Sequence, residues 1–148
     1  MKQKIHIQTE LIQRKQVPQE NQKVFVLYLP ENEIHELGIL FLNYYILAQN
    51  YKTIFLGQSL TTESLQTVMT FSDNLTFVTY LTVEPNKEEI NDYLKNFYET
   101  ILSGSQSNLN ILGPLQTFIN PSALPPQIKL HPTFESFRLE FFGEQIFV

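Results

Sequence analysis

The hydrophobic pattern of the chain switches repeatedly between strand-like and helix-like periods. Residues 23–29, KVFVLYL, are β-branched and aromatic and apolar on both faces, as a central parallel strand requires, and Pro30 closes the run. From Glu33 to Gln49 the apolar positions Ile34, Leu37, Leu40, Phe41, Tyr44, Tyr45, Leu47 and Ala48 recur at helical spacing with almost no polar face, predicting a helix covered on several sides. KTIFL (52–56) then reads as a strand and TTESLQTVMT (61–70) as a helix that turns Leu65, Val68 and Met69 inward. LTFVTYL (75–81) reads as a third strand.

The clearest amphipathic stripe follows. Ile90, Tyr93, Leu94, Phe97, Ile101 and Leu102 share one face of a helix predicted over 87–102, with Asn86 placed to cap it, Glu89 three residues on, and Gly104 past its end. NLNIL (108–112) and QIKL (127–130) supply two further strands, and a short helix carries Phe134, Phe137 and Phe141. Five strands alternating with helices predict an α/β protein with a parallel sheet covered on both faces. Such sheets bind ligands beyond the carboxyl ends of their strands. Upstream, Ile5 to Lys15 reads as a short helix that needs a partner, because isolated helices of this length are marginal. The polar connector QVPQENQ divides the chain into an N-terminal segment, 1–22, and the sheet domain, 23–148.

Composition narrows the chemistry. A net charge of -5 without a dense basic cluster argues against a direct grip on a phosphate backbone, so any DNA contact would need another domain. The absence of cysteine excludes disulfides, thiolate metal sites and cysteine nucleophiles, and suits the cytoplasm. The N-terminus lacks the apolar core of a signal peptide. The most apolar run, Leu37 to Ala48, is far short of the roughly 20 residues that cross a bilayer, so no membrane partner is expected. A phosphate-binding loop would need several glycines after the first strand, and only Gly38 is there. No G-x-S-x-G occurs, and His6 and His131 lie at opposite ends of the chain, which leaves a nucleophilic triad without support. A phospho-acceptor domain would need an aspartate after the third strand, where the chain has Thr79, Tyr80 and Leu81.

His35 follows the first strand, at the ligand-binding end of the sheet. Glu33 can hold one of its ring nitrogens and leave the other for a metal or a proton, while Gly38 lets a bulky group approach the helix. The same residues also suit a purely structural role, with Asn32 as N-cap, Glu33 and Glu36 complementing the helix dipole, His35 solvated and Gly38 a packing contact.

Glu33, His35 and Gly38 form E-x-H-x-x-G, which resembles the cobalamin-binding signature D/E-x-H-x-x-G. The wider segment LPENEIHELGILFLNYYILAQNYKTIFLGQSL resembles the C-terminal cobalamin-binding domains of MerR-type transcriptional regulators, including the CarH-like photoreceptors. The resemblance implies a flavodoxin-like (Rossmann-like) three-layer sandwich with strand order 2-1-3-4-5 and a short N-terminal helix. It also implies that His35 coordinates cobalt from beneath the corrin, with Glu33 orienting it and Gly38 making room for the nucleotide tail. Thr79 and Leu81 match the family's S-x-L motif, the threonine hydroxyl standing for the serine beside the benzimidazole. Gly113 matches the first of the family's paired glycines, and Pro114 replaces the second with a ring that narrows the tail slot. IHIQTELIQRK resembles the last helix of the family's four-helix cap, where His6 matches the histidine of a Glu-His pair and Ile5 stands in place of its glutamate; His6 also suits a solvated helix surface.

On this resemblance the chain is expected to be a piece of a longer regulator. It would be a non-enzymatic sensor domain whose cofactor is cobalamin, reaching DNA through an upstream helix-turn-helix and with self-association open to it. Two alternatives stand beside that expectation: a degenerate member that keeps the fold as a packing or dimerisation module, and a corrinoid-carrying subunit of an enzyme.

Overall fold

In the computed structural model, which describes Ile5, Thr9 and residues 23–143, five parallel strands form one sheet in the order β2-β1-β3-β4-β5. They are β1 (Val24–Pro30), β2 (Lys52–Leu60), β3 (Thr76–Tyr80), β4 (Asn108–Leu112) and β5 (Ile128–Leu130). The helices are α1 (Leu37–Ala48), α2 (Thr62–Leu65), α3 (Ile90–Phe97) and α4 (Phe134–Phe142). This is the expected α/β, flavodoxin-like arrangement, in which β1 and β3 lie at the centre and the chain reverses direction of winding between them. Ile5 and Thr9 are helical. His6 and the rest of the N-terminal segment assigned to a cap lie outside the described residues.

The double-sided apolar character of β1 is realised as two cores. Val26 and Tyr28 point to the face covered by α2 and α3, with Phe77, Leu81, Leu94 and Phe97. Phe25, Leu27 and Leu29 point to the opposite face, covered by α1 and α4, with Ile39, Leu42, Ile46, Val78 and Phe137. Tyr28 and Tyr45 are fully buried, so they belong to the cores and not to a pocket. Tyr28 donates to or accepts from the Tyr93 hydroxyl at 2.8 Å, a pairing that keeps two phenols satisfied inside an apolar layer.

Local chemistry shifts several boundaries. The helix expected from Glu33 starts at Leu37, with Glu36 at its N-cap, because Asn32 adopts φ +70° and Glu33 is drawn inward. Asn32 is therefore part of a turn, not the cap, and the Glu33 amide donates to the Pro30 carbonyl. β2 runs four residues beyond the expected end at Leu56. It does so by bulging: Gly57 and Ser59 take positive φ, and the pairing with β1 shifts on either side of Tyr28. The segment 61–70 is one α-helical turn continued as a 3-10 helix over Gln66–Thr70, and the stripe through α3 continues as a π-helical turn, Tyr98–Leu102. Asn86 accepts hydrogen bonds from the amides of Glu88 and Glu89, capping the entry to α3 as its sequence position suggested.

Candidate functional site

The loop after β1 is organised by a buried carboxylate. Glu33 is wholly removed from solvent, yet five donors converge on it. Its Oε1 accepts from the amides of Thr82, Val83 and Glu84 at 2.9, 2.7 and 3.3 Å, which ties the exit of β1 to the exit of β3. Its Oε2 accepts from the His35 amide at 3.1 Å and from His35 Nδ1 at 2.9 Å. Burial opposes ionisation of Glu33. The hydrogen bonds from Val83, His35 and Thr82 together outweigh it and bring the pKa down to about 2.

An ionised carboxylate on Nδ1 fixes the proton there, so the neutral imidazole carries its lone pair on Nε2. The His35 side chain is half exposed and lines a groove of about 1140 Å³. Among the described residues Nε2 has no hydrogen-bond partner. The pair thus presents an oriented nitrogen donor at the mouth of a cavity slightly larger than the usual ligand range.

The groove lies beyond the carboxyl ends of β3, β4 and β5, between the starts of α1 and α4. Its walls are largely apolar, with Leu37 and Phe41 of α1 facing Phe134 of α4, and Ile5 of the N-terminal segment also reaches it. Leu37 and Phe41 are 46% and 39% exposed in spite of being apolar, which leaves uncovered surface where a ligand would sit.

Of the residues singled out from sequence, His35, Gly38, Gly113 and Pro114 line this groove together, with Glu33 directly behind His35. Gly113 has φ +102°, and a Cβ there would stand 2.4 Å from the Leu81 carbonyl oxygen. Leu81 is fastened on both sides, its amide donating to Leu112 O and its carbonyl accepting from the Leu115 amide. Pro114 opens the 3-10 helix Pro114–Phe118, a position where its missing N–H costs nothing.

Thr79 and Leu81 are placed differently from the expectation. Both are fully buried and neither lines the groove. The Thr79 hydroxyl donates to the Tyr28 carbonyl at 2.8 Å, so it is not free to meet a ligand base. Strand alternation explains this: Thr79 and Leu81 share the parity of Phe77, on the α2/α3 face, and the intervening Tyr80 is the residue that faces the groove.

Sequence reasoning also missed His131. Remote in the chain from His35, it lines the same groove from the end of β5. It is buried, its Nε2 donating to Asn110 Oδ1 at 2.9 Å, while Asn110 Nδ2 donates to Phe77 O at 3.1 Å. Burial pushes its pKa down, with Glu140 nearby opposing and Lys129 adding to the fall. The polar asparagine inside the apolar run NLNIL was the available signal for this buried network. Among the described residues no cluster of three or more His, Cys, Asp or Glu could hold a metal ion. No described helix is long and apolar enough to cross a membrane.

No family model matches the chain, and no curated protein matches it. Among solved structures it is similar to the monomethylamine corrinoid protein of Methanosarcina barkeri, with a TM-score of 0.66 at 11% identity over 93% of this chain. The match spans 64% of that protein's chain. At this identity the likeness is one of fold, a five-stranded parallel α/β sandwich.

Proposed function

We propose that the chain binds a corrinoid, whose cobalt His35 Nε2 would ligate and whose nucleotide tail the groove beside it would receive. The single observation that carries the reading is the Glu33–His35 pair at the groove mouth: a buried, ionised carboxylate fixes the tautomer and leaves Nε2 exposed. The residues present fit such a ligand. A groove of about 1140 Å³ with apolar walls adjoins the imidazole, while the space beside Gly38, expected to admit the tail, is taken by the Tyr80 ring. The threonine expected to meet the tail does not take part, since its hydroxyl is held by Tyr28. When bound, the corrinoid would supply a cobalt ion able to carry a further exchangeable ligand. Glu33 orients the imidazole, and the apolar walls would meet the apolar parts of the ligand.

The finer reading is that the domain is non-enzymatic and acts as the sensory part of a MerR-type regulator, with DNA contacted by a separate domain. Its support is the sequence resemblance around residues 27–60, together with a net charge of -5 and no dense Lys/Arg cluster in the sequence, which leave DNA contact to another domain. Corrinoid binding would then regulate by favouring one state of the larger assembly over another. A corrinoid-carrying partner of an enzyme is the second reading, favoured by the likeness to a protein described as a corrinoid protein.

Titration with hydroxocobalamin, followed by absorbance and then dialysis, tests the binding. A spectral shift that survives dialysis in the native chain and vanishes in His35→Ala is expected; an identical response in the two would remove His35 as the ligand. A change of sedimentation on loading would favour the sensor, and unaltered sedimentation the carrier.

A further inference from the structure

The groove wall facing the tail site is made by Tyr80, and its ring is set in an unusual way. A Cβ added to Gly38 would lie 2.8, 2.8 and 2.9 Å from Tyr80 Cδ1, Cγ and Cδ2. These three atoms form the stem end of the ring, and a point almost equally far from all of them lies over the ring's face and not at its edge. Gly38 therefore sits over one face of the Tyr80 ring, with its Cα and hydrogens where any other residue would put a side chain.

One face of the ring is thus covered by α1. Tyr80 is nevertheless only half buried and lines the groove, and no aromatic ring among the described residues pairs with it. The close approach of Gly38 and the end of β3 set the ring beside the cavity. Meanwhile the polar groups that could have met a ligand from the neighbouring positions are consumed: Thr79 by the Tyr28 carbonyl, and the Leu81 amide and carbonyl by Leu112 and Leu115.

The geometry points to Tyr80 as the residue that reads the corrinoid's lower base, by stacking a planar heteroaromatic group on the ring face opposite Gly38. This rests on the corrinoid reading of the groove. It assigns the preferred ligand class as corrinoids that carry a heteroaromatic tail, and it places selectivity in an aromatic contact and not in a hydroxyl. Flat bases differing in their substituents would be accepted alike, because a stacking surface has no hydrogen-bond code.

The test compares equilibrium binding of hydroxocobalamin and diaquocobinamide, which lacks the nucleotide tail, to the native chain, Tyr80→Phe and Tyr80→Leu. One aromatic–base stack predicts a preference of the native chain for cobalamin on the order of tenfold or more. Tyr80→Phe should keep that preference. Tyr80→Leu should reduce it at least several-fold, with a circular dichroism spectrum like that of the native chain showing that the variant is folded. Equal preference in the native chain and Tyr80→Leu, or loss of preference in Tyr80→Phe, would overturn the stacking role while leaving axial binding through His35 intact. Binding of neither corrinoid by the native chain would remove the corrinoid reading itself and this inference with it.

Discussion

Gly113 packs directly on the backbone of Leu81, so closely that a Cβ at 113 would stand 2.4 Å from the Leu81 carbonyl oxygen and 2.7 Å from its nitrogen. Neither partner can yield. Leu81 is pinned by hydrogen bonds to Leu112 and Leu115, and Gly113 itself has φ +102°. Gly113→Ala should therefore combine backbone strain with a backbone clash and destabilise the domain by roughly 2–4 kcal/mol, measured by chemical denaturation. A loss below about 0.5 kcal/mol would mean that the two strand exits separate easily.

Glu33 makes stability depend on pH in acid. Its folded pKa, about 2, lies below the ordinary 4.5, so the folded state favours the ionised form. The associated stability is present above pH 4.5 and is lost as pH falls toward 2. Its full extent is about 3 kcal/mol for a group wholly buried. Glu33→Gln should be less stable at pH 7 and should lack this acid-range component. Denaturation curves at pH 7, 4.5 and 3 for both proteins decide it.

His131 acts in a separate window. Burial lowers its pKa from 6.5, so the fold prefers the neutral ring, and stability should decline as pH falls below about 6.5, by at most about 1.4 kcal/mol per pH unit. Glu140 and Lys129 are the charged groups acting on it, and they oppose each other. His131→Gln should flatten the curve between pH 7 and 5 while leaving the acid limb set by Glu33 in place.

Asn110 joins that histidine to β3. Asn110→Leu would keep the volume but leave His131 Nε2 without its acceptor and the Phe77 carbonyl without its side-chain donor. A loss of roughly 1–3 kcal/mol is expected, and the double variant with His131→Phe should recover part of it. Purely additive losses would show that the pair is not coupled.

Gly38→Ala should press on the Tyr80 ring near its stem, where the side chain has little freedom to swing away. About 1–3 kcal/mol is expected from overpacking at such a contact. Melting should respond in Gly38→Ala and recover in Gly38→Ala with Tyr80→Leu.

The order of strands and helices was legible because parallel strands buried on both faces, such as Val24–Pro30, leave uninterrupted apolar runs, while the α3 stripe marks a single buried side. The extent of β2 was not, since Gly57 and Ser59 read as a loop and the bulges that accommodate them depend on pairing with β1. The site was half legible. The spacing of Glu33 and His35 makes their contact local, and their pairing follows from it. Tyr80 was obscured because a motif names residue types, whereas the strand's two-residue alternation decides which one faces the cavity. His131 reaches the groove only through the crossover from β4 to β5, which no local pattern encodes.

The bonds to Glu33 have a kinetic consequence. An imidazole whose tautomer and direction are set before any ligand arrives gives up little freedom on capture, so the association step would be governed by encounter and not by rearrangement. Because the same carboxylate grips the amides of Thr82, Val83 and Glu84, the histidine cannot be displaced without loosening the far strand's exit. In the proposed complex, release would then be slower than capture, and a long residence time is expected.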